Sequence, residues 1–66
     1  MTNINKHVMA TGKSLHAGHK GVVTKDYGHM LLIKADDEKY SHAYKREGME
    51  GKYFQLDARN FKEIKD

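Results

Sequence analysis

Apolar side chains occur along this chain in short runs separated by polar, glycine-bearing segments. Within the runs they alternate as extended backbone does, with neighbouring side chains on opposite faces. His7-Val8-Met9-Ala10-Thr11, closed by Gly12, predicts a first strand entering a loop that runs from Lys13 to Lys20. Gly21-Val22-Val23-Thr24-Lys25 is rich in β-branched residues and begins a second strand. Asp26-Tyr27-Gly28-His29 predicts a tight hairpin turn, in which Gly28 supplies the positive φ that such turns require. Met30-Leu31-Leu32-Ile33, the most apolar stretch, predicts a central strand. Its pleat turns Leu31, Ile33 and Ala35 inward and leaves Met30 and Leu32 on the other face, where they need a cover or a partner.

Residues 36–51 read two ways. Asp36 is placed to cap a helix with Asp37 and Glu38 in its first turn, Lys45 and Arg46 in its last and Gly48 beyond, so that Tyr40, Ala43 and Tyr44 share a face. The other reading makes Tyr40 to Arg46 a strand and Arg46 to Gly51 its turn, and the strand is adopted here. Lys52-Tyr53-Phe54-Gln55-Leu56 alternates cleanly, with Phe54 and Leu56 inside. Asp57 then accepts backbone hydrogen bonds from a short helical turn through Ala58, Arg59 and Asn60, after which Phe61 and Ile64 return to the core. The expectation is an all-β fold of five short strands with an inserted loop or short helix at about 36–51. Val23, Leu31, Ile33, Phe54, Leu56 and Phe61 meet at its centre. Closing such a sheet into a small barrel removes unpaired edges.

Sixty-six residues predict a single domain over 1–66, with 1–5 as a flexible tail. A chain this short buries about 60% of the surface its unfolded form exposes, which leaves little material to wall a catalytic pocket. No nucleophile elbow or phosphate-binding Gly-x-x-x-x-Gly-Lys motif occurs, and Asp36-Asp37-Glu38 reads as a solvated turn. A binding module is expected, not an enzyme, and no cofactor. Cysteine is absent, and no apolar run approaches the roughly 18 residues of a membrane span. A cytoplasmic, soluble chain is expected, with a monomer favoured. Twelve Lys and Arg against nine Asp and Glu give a net charge of +3, which favours loose association with polyanions.

The order of Val8 to Ala10, Gly12, Gly18, Gly21 and Val23, with Gly18-His19-Lys20-Gly21-Val22-Val23 as its core, resembles the KOW motif. In that motif an apolar strand and a glycine loop lead into Gly-x-x-Gly-x-Val. The stretch from Phe54 to Ile64 looks like the closing strand, helical turn and last strand of the C-terminal KOW domain of the transcription factor NusG. The resemblance, which KOW ribosomal proteins share, implies an SH3-like barrel. It further implies a partner that is RNA, DNA or a protein of the transcription or translation machinery.

In nucleic-acid-binding KOW domains the first loops approach the phosphate backbone. By resemblance Lys13, His16, His19, Lys20 and Lys25 are contact candidates, with Tyr27 and His29 placed to stack on bases. Small glycines admit a phosphate closely, and lysines neutralise it. The plainer reading is that these lysines solvate a loop. His16-x-x-His19, with His7, His29 or His42, has the donors for a metal, but a glycine loop is a poor rigid platform and none is expected. Met30 and Leu32 with Tyr40, Tyr44 and Tyr53 form the candidate protein-contact surface of an adaptor. Its alternative is that residues 36–51 fold over Met30 and Leu32.

Overall fold

The structure, a computed structural model, describes residues 3–65. Six strands form one antiparallel sheet: β1 (His7–Ala10), β2 (Lys20–Asp26), β3 (Met30–Ala35), β4 (Tyr44–Lys45), β5 (Lys52–Asp57) and β6 (Phe61–Glu63). They lie in the order β4-β5-β3-β2-β1-β6. Among the described residues there is no helix, so none is long and apolar enough to cross a membrane. The hydrogen-bonded registers run from β4 to β6 without a pairing that joins these two. The molecule nonetheless extends 25 × 24 × 23 Å, so the sheet wraps around its inner face instead of lying flat.

That inner face is built by the alternation read in the sequence. Val8 and Ala10 of β1, Val23 of β2, Leu31, Ile33 and Ala35 of β3, and Phe54 and Leu56 of β5 form one buried cluster. Ala58 and Phe61 pack against it. The β2–β3 hairpin also takes its expected form. Gly28 has φ 89°, its N–H donates to Asp26 Oδ1 at 2.7 Å, and Tyr27 N–H donates to the Met30 carbonyl at 2.9 Å. A register shift between Val23 and Lys25 marks a bulge in β2.

The departures have physical causes. The sheet has six strands where five are expected, because Phe61–Glu63 pairs along the free edge of β1, with Ala10 opposite Phe61. The expected strand from Tyr40 to Arg46 shrinks to Tyr44–Lys45. Residues 36–43 form tight turns instead: Lys39 N–H donates to Asp37 Oδ1 at 2.9 Å, Tyr40 N–H to the Asp37 carbonyl and Ala43 N–H to the Tyr40 carbonyl. These turns carry Tyr40 and Ala43 into the inner cluster. Leu32 is not an open outer residue. It is fully buried, with Lys25 and Gln55 opposite it in the ladder, and Met30 is half-buried. Of the expected tail, residues 1 and 2 lie outside the described residues. Asn3 N–H donates to Asp26 Oδ2 at 2.9 Å, and Asn5 N–H donates to the Val23 carbonyl at 2.8 Å.

Gly21 is buried between β1 and β3, opposite Val8 and Ala35. A Cβ there would lie 2.4 Å from Ile33 Cγ2 and 2.4 Å from the Lys34 carbonyl oxygen, and backbone cannot yield cheaply. Gly21→Ala is therefore expected to destabilise the fold by about 2 kcal/mol or more, read as a lower midpoint in urea denaturation.

Candidate nucleic-acid interface

The seven basic and aromatic contact candidates divide between the two ends of β2. Lys20 and Lys25 are separated by five residues of strand, about 16 Å at the usual rise. One end is the loop between β1 and β2, the other the β2–β3 hairpin.

The loop is closed by its own backbone. Ala17 N–H donates to the Ser14 carbonyl, His19 N–H to that of His16 and Gly18 N–H to that of Ala10. These turns aim His16 inward. Its Nδ1 lies 2.7 Å from the Tyr40 hydroxyl, and its ring lies 4.6 Å from that of Phe54. His19 stacks on Tyr40 at 3.8 Å and 17°. His42 completes the cluster, 6.5 Å from His16 and 5.7 Å from Tyr40. Burial holds His16 below its usual range, with His42 and His19 adding to the depression. Burial raises the Tyr40 hydroxyl. His16 is thus a packing residue before it is a phosphate contact.

Lys13 and Lys20 are exposed, but Gly18, His19 and Lys20 border a depression whose other wall includes Asp36 and Asp37. Two carboxylates beside the lysine oppose the approach of a phosphate. The glycines also differ from one another. Gly18, at φ 90°, faces open space, whereas Gly21 is consumed by packing between strands and admits no ligand. Among the described residues no group of three or more His, Asp or Glu side chains is placed to hold a metal.

At the hairpin end Tyr27 is 47% exposed at a tip fixed by the Asp26 carboxylate, and Lys25 and His29 are exposed beside it. The turn between β5 and β6 docks here, because Ala58 N–H donates to the His29 carbonyl at 3.1 Å. That docking brings in Arg59, which sequence reading does not single out as a contact because the docking is a tertiary event with no local signature. Its Nε and Nη2 each lie 3.2 Å from Asp57, and the Arg59 N–H caps the same carboxylate at 2.8 Å. These bonds hold the Asp57 carboxyl below its usual range and raise the guanidinium. Asp26 is lowered in the same way by the N–H groups of Asn3 and Gly28.

The protein-contact candidates are not assembled into a surface. Leu32, Tyr40 and Tyr53 are buried, the Tyr53 hydroxyl donates to the Glu50 carbonyl at 2.7 Å, and Tyr44 alone of the five is exposed. Tyr40 is buried because the turns of 36–43 point it inward. No protein-family model matches the chain, and among curated proteins and solved structures no match was found. Replacing Tyr40 by Phe keeps the stacked ring and strips His16 Nδ1 of its partner. The expected loss is about 1 kcal/mol in chemical denaturation at neutral pH.

Proposed function

We propose that the chain is a KOW-type SH3-like barrel and a non-enzymatic binding module for nucleic acid of low sequence specificity, serving transcription or translation in the cytoplasm. The sheet's curvature about a single apolar face supports the barrel reading. The observation that carries the function is the hairpin tip, where an exposed tyrosine stands on a hydrogen-bonded turn with exposed Lys25, His29 and Arg59 around it. Aromatic faces stack on unpaired bases of any identity, while lysine and arginine neutralise phosphate. This favours Lys25, Tyr27 and His29 over Lys13, His16, His19 and Lys20, whose end of the molecule is shared with Asp36 and Asp37. The alternative of a protein adaptor loses its main support, since three of its five contact residues are buried.

The reading is tested by titrating single-stranded and duplex RNA and DNA at two ionic strengths. Single strands are expected to bind more tightly, and Tyr27→Ala should weaken them by about tenfold. Lys25→Ala should reduce the slope of log affinity against log salt by about one for duplex and slightly less for single strands. No binding even at low salt overturns the proposal.

A further inference from the structure

The cluster of His16, His19 and His42 around Tyr40 plays no part in the hairpin-tip interface and lies at the other end of β2. The groups that face His16 are His19 from its own loop, Tyr40 and His42 from residues 36–43, and the apolar ring of Phe54 from β5. The neighbouring carboxylates are engaged elsewhere. Asp36 Oδ2 lies 2.5 Å from His7 Nε2, and Asp37 Oδ1 accepts from Lys39 N–H. Among the described residues none of the three imidazoles is paired with a carboxylate. A charge added to His16 therefore faces the repelling imidazoles of His42 and His19 and the apolar ring of Phe54. The 6.5 Å between His16 and His42 is inside the screening length of about 8 Å at physiological salt.

We propose that the loop between β1 and β2 is a proton-operated latch: with His16 neutral it seals the rings of Tyr40 and Phe54, and when His16 is protonated it lifts off them while the sheet stays folded. His19 is not the trigger, because its stack on the open face of Tyr40 gains a cation–π attraction when charged. His16 is, because its ring is half-buried against Phe54 and its charge would lose part of its hydration. The direction follows from linkage. The closed form holds His16 below its ordinary value of 6.5, so the open form takes the proton first as the pH falls. The contribution of His16 to closure is complete above that value and drains away as acid carries the pH through the depressed one.

Amide hydrogen exchange on the intact chain tests this. Between about pH 7.5 and about pH 5, the protection factors of the Gly18 and His19 amides are expected to fall about threefold or more, while those of β3 and β5 hold. His16→Phe keeps a ring against Phe54 and leaves nothing to protonate, so its loop protection should not respond to pH. Unchanged loop protection in the parent chain, or the same fall in the variant, overturns the latch. If the variant does not fold, an NMR titration of His16 Cε1–H in the parent chain decides. Titration below the imidazoles of the urea-unfolded chain supports the latch, and titration at or above them overturns it.

Discussion

Phe54 has no exposed surface, and its ring is shared by two parts of the molecule that differ in chemistry. On one side it belongs to the apolar cluster with Leu31, Ile33 and Leu56; on the other it meets the rings of His16 and Tyr40, 4.6 and 5.7 Å away. A chain of this length cannot spare such a position. Burying one phenylalanine contributes about 2–3 kcal/mol, a large share of the net stability a domain of this size attains. The loop that carries His16 is therefore part of the core's lid, and whatever moves the loop changes how well the centre is covered.

The same economy explains why the glycines and tyrosines do less for ligands than their residue types promise. Gly21 is spent on the close approach of β2 to β3, Tyr40 on the inner cluster, and Tyr53 is buried with its hydroxyl bonded to the Glu50 carbonyl. Beyond the exposed Tyr44, what remains free is the hairpin tip. There each exposed aromatic or basic side chain is held by a turn whose carboxylate is already bonded to backbone N–H groups. Asp26 and Asp57 thus serve as structural anions that shape the tip, Asp57 holding Arg59 as it does so, and Lys25, Tyr27 and His29 beside them are left for a partner.

Much of the fold was legible because its signals are local. Period-two alternation placed Val23, Leu31, Ile33, Phe54 and Leu56 inside, and the Asp-Tyr-Gly sequence specified the hairpin through side-chain and φ preferences that act within four residues. The rest depended on contacts distant in sequence. Nothing near Phe61 announces that it will face Ala10, and nothing near Ala58 announces that it will bond to His29. Tyr40 was ambiguous because both a helix and a strand place it on an apolar face, whereas the Asp37 turns that bury it follow neither period. Of the candidate site, Lys25, Tyr27 and His29 were found as neighbours because one hairpin holds them. The resemblance groups Lys13 and Lys20 with them, and the length of β2 sets the two groups apart.

The two-residue β4 and three-residue β6 at the ends of the strand order have a bearing beyond the fold. A sheet that ends in long, flat, apolar margins offers its open backbone to any other chain. Here each margin is brief and carries charge, with Lys45 on one and Lys62 and Glu63 on the other. Such borders give a second molecule little length to template upon and an unfavourable charge to bury.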